Sequence, residues 1–118
     1  SGGVVYYANY LKFIERARTE MINELGFTLT TLLKDYDRLF LVKKIECDYI
    51  ESCKLEDRLN VQSRVLLLKN ASFELEQNIL KQNNFIFRSK ILMVCVNSRG
   101  APCKIPSELH SLMKNKDG

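Results

Sequence analysis

The sequence predicts an α+β domain in which one long helix lies across a curved antiparallel sheet. Three observations carry this prediction. Apolar residues recur at steps of three and four near the start of the chain. From Leu39 onward the period drops to two. The alternating stretches are separated mostly by short polar turns, which can join strands only as antiparallel hairpins.

The opening residues 1–26, SGGVVYYANYLKFIERARTEMINELG, read as a glycine turn running into one amphipathic helix over 6–25. Tyr10, Ile14, Ala17, Met21 and Leu25 share an apolar stripe, and Lys12, Glu15, Arg16, Thr19, Asn23 and Glu24 fall mostly opposite. Gly26 stands where a helix C-terminus favours a left-handed residue. About twenty helical residues span roughly 30 Å, the width of a small domain. No later stretch offers a helix of that length, so this one is the cover for the sheet.

Residues 27–38 read as a connector with one short helical turn around Leu32 to Tyr36. Leu39, Leu41, Ile45, Cys47 and Tyr49 alternate with Lys44, Glu46 and Asp48 as a half-buried strand, and 51–60 form a polar break. Val61, Ser63, Val65 and Leu67 alternate with Gln62, Arg64 and Leu66 up to a tight turn at Lys69-Asn70-Ala71. Phe73, Leu75, Gln77 and Ile79 alternate with Ser72, Glu74, Glu76 and Asn78 as the return strand, which ends at the turn Gln82-Asn83-Asn84. Residues 85–97, FIFRSKILMVCVN, are the longest and most apolar strand and belong at the centre of the sheet. Pro106-Ser107 then opens a short helix, with Ser107 as its cap and Leu109, Leu112 and Met113 inward. Such a sheet leaves edges to be managed, and edge pairing between two copies would do so.

At 118 residues the chain reads as one domain over 1–118. No apolar run reaches the roughly 18 residues of a membrane span, and no signal-peptide pattern is present. Cys47, Cys53, Cys95 and Cys103 form no CxxC, and His110 is the one histidine. The reading is a metal-free cytoplasmic protein with reduced thiols. The net charge of +4 is skewed: residues 1–80 carry eleven basic and twelve acidic groups. Residues 81–118 carry Lys81, Arg88, Lys90, Arg99, Lys104, Lys114 and Lys116 against Glu108 and Asp117. That excess suits a phosphate-bearing small ligand. The basic residues are scattered without interleaved aromatics, so nucleic acid is not expected as a partner.

Three stretches resemble a known family: GGVVYYANYLKFIERARTE (2–20), CDYIESCKLEDRLNV (47–61) and VCVNSRGAPCKIP (94–106). They are similar to the acyl-CoA thioesterases of the 4-hydroxybenzoyl-CoA thioesterase family, and most to the small bacterial enzymes associated with the Tol–Pal system. The resemblance covers nearly the whole chain, and its first motif is the most specific. It implies a hotdog fold, a homodimer or tetramer with sites at the subunit interface, and hydrolysis of an acyl-CoA thioester. It implies no metal and no separate cofactor, because coenzyme A is part of the substrate.

In that family the helix follows a stretch resembling D-x-x-G-V-V-Y-(H/Y)-x-N-Y. The acid that serves there as nucleophile or general base would fall one position before Ser1, and the family's first strand would also precede this chain. The resemblance assigns the carbonyl-polarising donor to the backbone N–H of Tyr7, where many relatives carry His. It assigns close substrate approach to Gly3, where no Cβ intervenes. A helix N-terminus suits this task because its first N–H groups are unpaired and lie at the positive end of the macrodipole. For coenzyme A, Lys69, Asn70 and Ser72 sit at the hairpin turn resembling the family's nucleotide-contacting turn, and Arg99 and Lys104 flank the last strand. Glu15 reads as solvated helix surface. The second reading is a non-catalytic acyl-binding dimer, or one that engages acyl carrier protein through its basic surface.

Overall fold

A computed structural model describes residues 4–5, 8–54 and 56–116. The elements run β1 (Val4–Val5), α1 (Ala8–Glu24), α2 (Leu29–Tyr36), β2 (Leu39–Tyr49), β3 (Cys53–Lys54), β4 (Leu59–Leu68), β5 (Ser72–Lys81), β6 (Asn84–Val96) and α3 (Ser107–Lys116). Four strands form an open antiparallel sheet in the order β2-β6-β5-β4, and β1 pairs with β3 as a separate antiparallel ribbon. The apolar stretch read as the central strand is β6, inside the sheet between β2 and β5.

The helical stripe and the inward side of the sheet meet as their periods require. Tyr10, Ile14 and Met21 of α1 are buried in one cluster with Phe73, Leu75 and Ile79 of β5 and Phe87, Ile91 and Met93 of β6. Each fully buried Leu, Ile or Phe side chain contributes about 1.5–3 kcal/mol of transfer free energy. Ile105, Leu109 and Met113 join the same cluster from the C-terminal segment. Gly26 has φ +93, as its place after α1 demands. Gln82 and Asn83 both have positive φ, the signature of a hairpin turn whose twist matches its strands.

Four local readings change. The connector holds a two-turn helix, α2, because both ends are capped. Thr28 and Thr31 form a reciprocal capping box, and Asp37, at φ 54, returns its N–H to the carbonyls of Leu32 and Leu33. Val4–Val5, read as part of the entering turn, and Cys53–Lys54, read as part of a polar break, pair with each other. Consecutive β-branched residues favour extended backbone. The first helical residue of α3 is Ser107 rather than its cap, since the Pro106 carbonyl already accepts from His110 N at 2.9 Å.

The fourth change concerns β2. The strand is an edge, and its register shifts between Val42 and Lys44. The alternation therefore breaks, and Leu41, Ile45 and Tyr49, read as the apolar side of the strand, are all exposed, as is Val42. A similar shift between Val65 and Leu67 in β4 exposes Leu67 and leaves Leu68 partly buried against the core.

Cys95 is fully buried, and burial pushes its thiol up to about 11 against the opposing effect of Arg38. Cys103 is half-buried on the neighbouring segment, where its N–H donates to the Cys95 carbonyl. Thiol labelling of the native protein at pH 8 should therefore modify Cys103 while leaving Cys95 intact until the chain unfolds. Labelling of Cys95 at the rate of Cys103 would contradict this packing.

Candidate active site

The start of α1 is clamped from below and from the side. Tyr10, in the first turn of the helix and fully buried, donates its hydroxyl hydrogen to the Glu51 carbonyl at 2.8 Å. Its ring meets Phe87 edge-on at 5.5 Å between centroids, and Tyr49 meets the same Phe87 at 5.1 Å. The β1–β3 pairing fixes the chain just ahead of the helix, Val4 opposite Lys54 and Val5 opposite Cys53. The segment carrying Glu51, Cys53 and Lys54 is tied down in turn. Asp57 Oδ2 accepts from Lys54 N at 2.6 Å, and Lys81 Nζ reaches Glu51 at 2.9 Å and Asp57 at 3.8 Å. The hydrogen bond to Glu51 raises the Lys81 pKa, with charge attraction from Glu51 and Asp57 adding to it.

Tyr7, assigned the donor role, and Gly3, assigned close substrate approach, lie outside the described residues. Gly3 stands just before β1 in the chain, and Tyr7 stands between β1 and α1. Both β1 and α1 run into the clamp just described.

The residues assigned to coenzyme A gather elsewhere. Lys69 N donates to the Ser72 carbonyl at 2.8 Å to close the β4–β5 turn. The Asn70 carbonyl accepts from Ile105 N at 2.8 Å, which brings Lys104 beside that turn. The Lys104 carbonyl also accepts from Arg38 Nε at 2.9 Å. Arg99 sits on the exposed loop 97–101, where the Asn97 side chain accepts from the N–H of Arg99 and of Ala101. Ser98 N donates to Asp37 Oδ1 at 3.2 Å, so this loop lies against the end of α2. Lys69, Asn70, Ser72, Lys104 and Arg99 therefore share one end of the sheet.

That end is not the end where α1 starts. Lys81, beside the α1 clamp, and Ser72, in the hairpin, are the two ends of β5. Ten residues of strand span roughly 30 Å. Within one chain, the start of α1 and the candidate phosphate contacts lie at opposite ends of the same sheet. Lys81, counted among the basic residues of the C-terminal third, belongs to the donor end.

Two features were not anticipated from sequence. Gln77 is fully buried under α1 and bonds to Ile14, Arg18 and Ser63. The visible signal was a polar residue at an inward position of an apolar strand. Arg18 is the second feature: burial lowers its pKa while the nearby Glu15 opposes that shift. Glu15 itself is exposed. It lines, with Arg18, Ile22, Leu32, Phe40 and Val42, a groove of about 360 Å³ between α1, α2 and the β2 edge. Among the described residues, no group of three or more His, Cys, Asp or Glu is placed to hold a metal ion.

The Tyr10 hydroxyl makes a directional contact at the helix start, so Tyr10→Phe should lower unfolding free energy by about 1 kcal/mol. The denaturant midpoint should fall with an unchanged slope. An unaltered midpoint would show that the 2.8 Å contact does not hold this end of α1.

Comparison with known proteins places this architecture. The pattern of the thioesterase superfamily matches residues 2–84. The acyl-CoA thioesterase YbgC of Haemophilus influenzae is 37% identical over 110 residues, covering 92% of this chain and 81% of that protein. A probable thioesterase from Bartonella henselae superposes with a TM-score of 0.83 at 31% identity, over 88% of this chain and 86% of that one. A gentisyl-coenzyme A thioesterase does so with a TM-score of 0.83 at 29% identity, over 94% and 87%. The clamped helix laid over an open antiparallel sheet is the hotdog architecture, and the chain belongs to the thioesterase superfamily.

Proposed function

We propose that this chain hydrolyses acyl-CoA thioesters to a carboxylate and free coenzyme A, as a homodimer or a tetramer built from dimers. The observation that carries the reading is the clamped start of α1. Thioester hydrolysis places negative charge on the carbonyl oxygen, and a donor lowers the barrier only if it is already fixed where that charge develops. Tyr10 bonded to Glu51 and β1 paired with β3 hold the chain on both sides of the Tyr7 N–H. Gly3 keeps side-chain atoms away from the approaching thioester.

The attack is delivered by the carboxylate expected one position before Ser1, either through a water whose proton it takes, or directly on the carbonyl carbon to give a mixed anhydride that a water then hydrolyses. Collapse of the tetrahedral intermediate breaks the C–S bond, and coenzyme A leaves as the thiolate. This scheme uses no metal. Lys69, Asn70, Ser72, Arg99 and Lys104 hold the nucleotide end of coenzyme A, as point charges and hydrogen-bond donors for its phosphates.

The geometry of one chain favours a site built from two. An antiparallel pairing of β2 with the β2 of a second copy would cover Leu41, Val42, Ile45 and Tyr49, which one chain leaves exposed. A two-fold axis reverses strand direction, so it sets the hairpin end of one copy beside the α1 start of the other. The basic hairpin end also fits the acidic surface of an acyl carrier protein as a second source of the acyl group. Reduced thiols and phosphate-linked substrates would suit a cytoplasmic activity.

Tyr7 gives the test of mechanism. Tyr7→Pro removes the N–H of the residue just before Ala8, where α1 begins and where no intrahelical hydrogen bond is lost. In the full-length protein it should lower kcat about 10²–10³-fold while circular dichroism stays native. Tyr7→Phe should keep most activity. A folded and fully active Tyr7→Pro enzyme would rule out the backbone donor, and an inactive Tyr7→Phe enzyme would move the role to the phenol.

A further inference from the structure

The middle of α1 rests on a single polar side chain. Gln77, on β5, is fully buried between Leu75 and Ile79, which are equally buried. Its Nε2 donates to the Ile14 carbonyl at 3.0 Å and to Ser63 Oγ at 2.9 Å. Its Oε1 accepts from Arg18 Nη1 at 2.9 Å. The orientation of the amide is forced, because a guanidinium cannot accept and a carbonyl cannot donate. Ser89 Oγ, on β6, donates to the Gln77 main-chain carbonyl at 2.6 Å. One residue therefore links α1, β4, β5 and β6.

Packing alone would be served as well by an apolar residue, since a buried amide gives little net stability once its desolvation is counted. What the amide adds is direction. Apolar surfaces tolerate sliding, whereas a 3.0 Å bond to a helix carbonyl is lost when the helix shifts along its axis. Ile14 stands six residues after Ala8, where α1 begins, or roughly 9 Å along the axis. A shift at Ile14 is passed to the helix start unchanged, because the backbone between them is a continuous helix.

We infer that Gln77 is a positioning residue for thioester hydrolysis, setting the axial position of α1 and through it the donor at the helix start. The inference rests on the proposed role of that helix start. Gln77 touches neither substrate nor the reacting atoms. Its partner Arg18 holds the amide oxygen, which leaves the amide nitrogen free to face the helix carbonyl.

The test compares Gln77→Met and Gln77→Glu with Tyr7→Pro in the full-length protein, assayed on an acyl-CoA thioester. Gln77→Met removes all three side-chain bonds at nearly constant volume. Gln77→Glu keeps its partner Arg18 and can accept from the Ser63 hydroxyl in place of donating to it, but it puts a carboxylate against the Ile14 carbonyl, so the helix contact is the one it cannot remake. Both should lower kcat roughly 10- to 100-fold, the size of effect a displacement on the order of 1 Å produces, with KM within about twofold. Native circular dichroism of either variant is enough to read the result, and Gln77→Glu serves if Gln77→Met fails to fold. Wild-type kcat in a folded variant, or a rise in KM at constant kcat, would overturn the positioning role. If Tyr7→Pro is inactive while both Gln77 variants are active, this inference fails alone. If Tyr7→Pro is active, the donor reading beneath it fails.

Discussion

Apolar burial holds a helix against a sheet without saying where along its axis the helix must stop. The stripe of Tyr10, Ile14 and Met21 supplies most of the adhesion of α1. Two hydrogen bonds at points four residues apart supply the stop, Tyr10 to the Glu51 carbonyl and Gln77 to the Ile14 carbonyl, and Arg18 adds a third to the Gln77 amide. They tie α1 to two different elements, the loop after β2 and β5. A helix pinned at two points about one turn apart cannot slide or tilt without breaking a bond. Everything proposed for the chemistry depends on that, since an oxyanion donor works only at a fixed distance.

The same sheet separates the two halves of the candidate site. β5 runs from the hairpin of Lys69–Ser72 to Lys81, and α1 runs above it with its start at the Lys81 end. The phosphate-side residues thus lie towards the C-terminus of α1, where the macrodipole disfavours anions. In the proposed dimer their complement is the helix start of another copy. The exposed apolar β2 edge would be the surface for that copy, and its bulge at Val42–Lys44 would shape how a second strand lies against it.

Much of the fold was legible because it depends on local periodicity. Tyr10, Ile14 and Met21 at helical spacing, the long apolar run of β6 and the turn residues Gln82 and Asn83 each carry their own signal. The exposure of Leu41 and Ile45 was not legible, because an alternating strand reads the same at an edge as in a sheet with one covered face. The Tyr10 anchor was hidden for a different reason. Its acceptor is a main-chain carbonyl, which any residue at position 51 would offer. Lys81 looked like one more charge in a basic third until its partners Glu51 and Asp57, distant in sequence, came beside it. Gln77 could be seen to point inward, but its three partners come from two other elements. For the site, the sequence motif identifies residue types, while the division between two ends of a sheet is a property of topology alone.

The claim that one working site draws on two chains is tested most directly by subunit complementation. Tyr7→Pro removes the donor, and Lys104→Glu reverses a charge at the phosphate end; each enzyme alone should be poorly active at low substrate and low salt. The two are unfolded together at equal amounts, refolded and assayed. A shared site predicts that mixed dimers hold one intact site each, restoring about a quarter of wild-type activity. Activity no higher than the average of the two separate enzymes would place both ends of the site within one chain and contradict the account.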